Sequence, residues 1–265
     1  LALVNNINSL YSTGVKYIHI HEVAENVVDA LFGNEEDKIG KIAGHYEYSG
    51  EDGEHMELHT LHARVCGEIG AKMVYISTDY VFDGSKRTPL VETDNLGPQS
   101  AYGKTKLEGE KFIQENTDKY FILRTAWLYG LHGNNFVKTM LGLAETHDEI
   151  TVVNDQIGSP TYSLDLAVAI TNLLHSDKYG IYHVTNEGEC SWYEFAKLIF
   201  ELSDVDVNVI PVSTEEFPRP APRPHYSVLD NKKWNASGFV AMRDYKEALG
   251  AYLSLYNFFK RLRKI

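Results

Sequence analysis

Tyr102 and Lys106 stand four residues apart in the stretch SAYGKTKLEGE. If that stretch is helical, both side chains leave the same face. A phenol with a pKa near 10 is a poor acid at neutral pH, but a neighbouring ammonium favours the phenolate and brings the group towards a working range. Such a pair can deliver a proton to a carbonyl oxygen while a hydride arrives at its carbon, the general-acid half of a ketone reduction. Alone, the spacing also fits two amphipathic side chains on a solvated helix face. Its context decides between the two.

Upstream, the apolar run KMVYI ends in STDYVFDG, which places Ser77, Thr78, Asp79 and Tyr80 at a strand's carboxyl end. Ligands of open α/β sheets bind outside those ends, so Thr78 is the natural second hydrogen-bond donor to a reacting carbonyl. A third strand end, RTAWLYG, carries Trp127, whose indole can pack in a core or stack on a sugar or base. The ligand role is the expectation, because two other strand ends share the pattern.

Positioning these groups requires strands alternating with helices. Runs at 72–78, 120–130, 149–155 and 180–185 read as strands, and 101–115, 134–145, 163–175 and a terminal stretch at 244–260 as helices. Ser191 and Glu194 in CSWYEFAKLIF form a capping-box pattern, with Trp192, Phe195, Ala196 and Ile199 on one apolar face. The prolines of FPRPAPRPHYSVLD predict an extended surface loop. The fold class is therefore α/β: a Rossmann-like, doubly wound parallel sheet with a smaller C-terminal substrate lobe. We place the cofactor-binding region at 1–150, atypical over 1–70, and the substrate lobe at 151–265, partly interleaved with the main sheet.

A formal charge of −12 disfavours nucleic acid or anionic lipid as a partner. No apolar run approaches the roughly 20 residues that span a bilayer, and no signal segment is evident, so a cytoplasmic location is expected. Cys66 and Cys190, far apart and outside any CxxC spacing, are expected to be buried thiols.

Taken together, STDYVFDG, YGKTKLEGE, RTAWLYG, GNNFVKTM, VVNDQIGSPTY, GIYHVT with CSWYEFA, and EEFPRPAPRPHYSVLD resemble dTDP-4-dehydrorhamnose reductases of the extended short-chain dehydrogenase/reductase superfamily, in order from about residue 69 to the C-terminus. The resemblance implies Tyr102, Lys106 and Thr78 as catalytic residues, with Tyr102 and Lys106 also binding the nicotinamide end of NADPH or NADH. It implies Thr78, Asp79, Tyr80 and Trp127 as contacts of a dTDP-4-keto-6-deoxy sugar, and dTDP-L-rhamnose as the product. Homodimerisation is left open. Two rivals share the scaffold: an epimerase or dehydratase with tightly bound NAD, and a noncatalytic homologue similar to the regulatory subunit of methionine adenosyltransferase.

The amino end departs from this pattern. A reductase of this type opens with a strand, a glycine-rich loop and a helix whose amide groups receive the pyrophosphate. No such loop occurs in 1–70, and SGEDGE at 49–54 surrounds its glycines with carboxylates. The amino end is expected to be truncated, altered or divergent: MELHTLHARVCGEIG at 56–70 reads as a helix, and if VKYIHIHEV at 15–23 is the second sheet strand, the phosphate loop falls upstream of Leu1. His55, His59 and His62 share a helical stripe, and His19 and His21 a strand face, but without thiolates or supporting partners they read as solvated polar groups. No metal site is expected.

Overall fold

A computed structural model describes residues 63, 64, 66–217 and 223–262. Helical residues 66–69 lead into β1 (Met73–Thr78), a short 3-10 turn (Asp79–Val81), α1 (Ala101–Asn116), β2 (Tyr120–Thr125), β3 (Leu128–Tyr129) and α2 (Phe136–Leu143). There follow β4 (Glu149–Val153), β5 (Ile157–Gly158), β6 (Thr161–Tyr162), α3 (Ser163–Leu174), β7 (Gly180–His183) and β8 (Cys190–Ser191). The chain continues through α4 (Trp192–Ser203), β9 (Asn208–Val212), α5 (Lys232–Ala236) and α6 (Tyr245–Leu262). The amino-terminal features expected from the sequence, including the histidine stripes, SGEDGE and the strand at 15–23, lie outside the described residues.

The described part of the main sheet has the order β1-β2-β7, all parallel, with Thr78 opposite Thr125 and Arg124 opposite His183. β1 is buried along its whole length, which explains why its sequence is a continuous apolar run rather than an alternation. Val74, Ile76, Phe121 and Leu123 pack there against Leu166, Ile170 and Leu173 of α3 and against Trp234 of α5. β7, from the GIYHVT segment, pairs with β2 and so brings the chain back to this sheet.

The segment 149–155 behaves differently from the sequence expectation. Instead of extending the main sheet, β4 pairs in parallel with β9, a strand not legible in VNVIPV. Pro211 breaks the usual strand composition there, and proline is tolerated because the pair is two-stranded and every strand is an edge. The second core lies beneath it, built from Tyr129, Val137, Val152, Phe195, Ile199, Leu249 and Tyr252. α4 begins with the capping box anticipated from sequence: Ser191 Oγ accepts from the Glu194 amide at 3.0 Å and Glu194 Oε2 accepts from the Ser191 amide at 2.8 Å. Cys66 and Cys190 are free and buried. Among the described residues no helix is long and apolar enough to cross a membrane.

β7 ends on a buried histidine. The imidazole of His183 lies 3.0 Å, through Nδ1, from the Leu90 carbonyl, so Nδ1 carries the proton and donates. Nε2 is buried with no partner among the described residues. Burial, reinforced by the Arg124 charge, pushes the pKa from 6.5 down to about 3. Between those two values the unfolded chain binds a proton that the folded chain refuses. His183 therefore makes stability fall as pH drops below about 6.5, by up to ~1.4 kcal/mol per pH unit. Unfolding titrations of wild type and His183→Gln across that window check this: the variant should show a shallower acid slope, and equal slopes refute it.

Candidate active site

α1 is seated on β1 by what it lacks. Ser100 caps it, with Oγ accepting from the Gly103 amide at 3.0 Å. Its sheet-facing stripe is Gly103, Lys106, Leu107, Glu110 and Ile113, which buries two charged residues where a hydrophobic pattern would place aliphatics. A Cβ on Gly103 would collide with the Tyr80 carbonyl, and one on Gly109 with the Tyr75 hydroxyl. Both glycines are needed for this close approach.

The buried charges are held in a network at the carboxyl half of the sheet. Arg124 of β2 grips Glu110 bidentately, Nε to Oε1 at 2.9 Å and Nη2 to Oε2 at 2.6 Å, with both side chains almost fully enclosed. Ser77 donates to the same carboxylate, and Arg124 stacks over Phe82 at 5.1 Å. One turn before Glu110, Lys106 is 2% exposed, and Nζ lies 3.4 Å from the Ile76 carbonyl of β1. That ammonium sits 5.8 Å from the Tyr102 ring centroid and 5.3 Å from that of Tyr75.

Thr78 ends β1 and caps the following turn, accepting from the Tyr80 amide at 3.2 Å and donating to Asp79 Oδ1 at 2.9 Å. Asp79 is 3% exposed, and burial raises its carboxyl pKa to about 6 against the opposing hydrogen bonds. Tyr80 meets Tyr102 edge-on with centroids 5.9 Å apart. Burial, then the Asp79 charge, pushes the Tyr80 phenol up. Tyr102 itself is 38% exposed, an unusual placement for a ring beside a buried ammonium and one that leaves it open to a ligand.

Thr78, Asp79, Tyr80, Tyr102 and Lys106 thus form one cluster. Trp127 has a different neighbour: it stacks on Trp192 with centroids 3.5 Å apart and planes within 7°. The stretch read as one strand through 120–130 is broken here, because Trp127 adopts φ of +50° and the chain leaves β2 to pair β3 with β6. A Cβ on Gly158 would collide with the indole. The half-buried ring packs on both the second core and the smaller group formed by Val81, Phe82, Leu107 and Leu229.

Three residues at the site escaped sequence reasoning, and a fourth, Ser77, was placed at the strand end without its partner. Glu110 and Arg124 lie inside the quoted motifs but have no role until the strands are paired. Thr125, opposite Thr78, has a buried hydroxyl without a partner among the described residues, and its place at the end of β2 was the available signal.

The chain as a whole is similar to known proteins. A family model described as RmlD substrate binding domain matches residues 57–258. The spore coat polysaccharide biosynthesis protein SpsK of Bacillus subtilis is 51% identical over 185 residues, covering 70% of this chain and 65% of that protein, so the chain spans less than two thirds of that relative's length. A crystal structure of a dTDP-4-dehydrorhamnose reductase from Clostridium acetobutylicum superposes with a TM-score of 0.76 at 41% identity, over 95% of this chain and 85% of that one. The Bacillus anthracis dTDP-4-dehydrorhamnose reductase, solved in complex with NADP, gives a TM-score of 0.75 at 39% identity over 95% and 84%. The chain belongs to the RmlD substrate binding domain family, the family of the dTDP-4-dehydrorhamnose reductases.

Proposed function

We propose that the protein reduces dTDP-4-dehydrorhamnose to dTDP-L-rhamnose with NADPH or NADH, as part of nucleotide-sugar and cell-surface polysaccharide synthesis in the cytoplasm. The observation that carries this reading is the buried Lys106 ammonium, at the Ile76 carbonyl of β1, beside the exposed Tyr102 ring, which meets Tyr80 of the turn after Thr78. When bound, the nicotinamide supplies a hydride to the sugar C4.

Tyr102 gives its proton to the carbonyl oxygen as that oxygen gains charge, converting C=O to CH–OH. Lys106 stabilises the resulting phenolate and, with Tyr102, would hold the nicotinamide ribose. A fixed, buried ammonium with a backbone carbonyl behind it suits that task. Thr78 hydrogen-bonds the same oxygen, and Asp79, Tyr80 and Trp127 shape the sugar side. In this reading residues 1–150 serve the cofactor and 151–265 the sugar. The sugar class, the lobe division and any homodimer are parts of the proposal.

Incubation with dTDP-4-dehydrorhamnose and NADPH tests it: loss of reduced cofactor should match formation of dTDP-L-rhamnose. Turnover without added reduced cofactor would instead indicate an epimerase or dehydratase.

Trp127 supplies a second check. Trp127→Ala is expected to weaken dTDP-sugar binding by about tenfold, the scale of one lost ring stack, with a smaller change for NADPH. Calorimetric titration of each ligand measures both, and equal losses would assign the indole to packing alone.

A further inference from the structure

A threonine hydroxyl has one proton to give and two lone pairs to fill. At Thr78 one lone pair takes the Tyr80 amide and the proton is directed to Asp79 Oδ1. The other carboxylate oxygen, Oδ2, is buried with no hydrogen-bond partner among the described residues. Ser227, brought up from the segment after the proline-rich loop, donates to the Ile157 carbonyl at a long 3.5 Å and also stands near enough to Asp79 to pull on its carboxyl. A hydroxyl whose proton is held by a carboxylate has none left for a ketone oxygen.

We infer that Asp79 is a positioning residue that acts in its neutral form, donating its carboxyl proton to Thr78 Oγ1 so that the Thr78 proton turns to the substrate carbonyl. The inference rests on the reductase reading and adds a control to the same site. In the neutral state both Thr78 lone pairs are filled, by Tyr80 N–H and Asp79 O–H, and its one donor faces the ketone. In the ionised state Asp79 takes that donor back. No bond between heavy atoms forms or breaks in this exchange, and Tyr102 remains the group whose proton ends on the product.

The surroundings favour the neutral acid. Burial raises the Asp79 carboxyl to about 6, overcoming the pull of Thr78, Ser227 and the local backbone amides. Titratable and charged groups on the elements packed about it include Tyr80 on its own turn, Tyr102, Lys106 and Glu110 on α1, and Arg223, His225, Tyr226 and Asp230 on the segment that carries Ser227, and none of their charges is among the causes that shift Asp79. Of these, Arg223 acts on Tyr80, where it opposes the effect of Asp79. Bound sugar and cofactor remove further water and move the titration upward, because desolvation penalises the charged form.

The test is the pH dependence of kcat/KM for wild type, Asp79→Asn and Asp79→Ala with dTDP-4-dehydrorhamnose and NADPH, each profile scaled to its own plateau. Wild type should lose activity as pH rises through a midpoint at or above 6, about tenfold by one unit past it. Neither variant has a carboxyl to ionise, so both profiles should stay flat there and fall only at the later limb that belongs to Tyr102. Thr78→Val should also lack the earlier limb, since Asp79 acts through the missing hydroxyl. Infrared spectra of the folded wild type carrying isotope-labelled aspartate, recorded without substrate, should show a carboxylic-acid band that titrates near 6 and is absent from Asp79→Asn. No turnover by wild type sinks the reductase reading and this inference with it. Turnover whose early limb survives in both Asp79 variants, or an Asp79 band already ionised below pH 5, overturns the inference alone.

Discussion

Tyr102→Phe is expected to lower kcat by at least about a hundredfold, the lower end of what a general acid contributes, and to weaken NADPH binding far less, because Lys106 still holds the ribose. The phenylalanine ring preserves the edge contact with Tyr80 and the face towards Lys106, so the hydroxyl and its proton are what is lost. Because the ring is partly exposed, its hydroxyl makes a small contribution to folding compared with its contribution to the reaction. Steady-state rates with dTDP-4-dehydrorhamnose and a calorimetric titration with NADPH separate the two effects. Turnover near that of wild type would remove Tyr102 from the chemistry.

Arg124→Met should be the most destabilising single change at the site, at about 3–5 kcal/mol. That is the usual cost of removing one member of an enclosed ion pair and leaving the other without compensation. Glu110 would keep only the Ser77 hydroxyl and would have to bury its charge or take up a proton. The double variant Arg124→Met/Glu110→Gln removes the stranded charge and should regain more than half of the loss. Denaturant unfolding of the two single variants and the double variant gives the coupling. Simple additivity of the single losses would show that the pair contributes only its separate packing.

These two residues mark how far a sequence can be read. Tyr102 was legible because its meaning lies in local spacing: four residues in a helix put it over Lys106 whatever else the chain does. The helix start at Ser191 was legible for the same reason, since a capping box closes within one turn. Arg124 was not. Its partner lies 14 residues away on the neighbouring element, and only the parallel register of β1 and β2 brings Ser77, Glu110 and Arg124 together. The pairing of β4 with β9 was hidden by Pro211, and the break at Trp127 by an apolar run that gives no sign of a positive φ. Periodicity reports which face is buried, but it cannot name the strand on the other side.

The seating of α1 bears on how sequence variants of this protein are to be judged. Gly103 and Gly109 touch no ligand in the proposed reaction and carry no reactive atom, and alanine at either position is among the mildest changes on any substitution scale. Each nevertheless adds a methyl group where backbone or a ring already stands, the Tyr80 carbonyl in one case and the Tyr75 hydroxyl in the other. The helix can make room only by lifting, and Tyr102 and Lys106 lift with it. Severity here follows the volume left empty rather than the chemistry of the residue replaced, so a glycine-to-alanine change in YGKTKLEGE belongs with the damaging alleles and not with the silent ones.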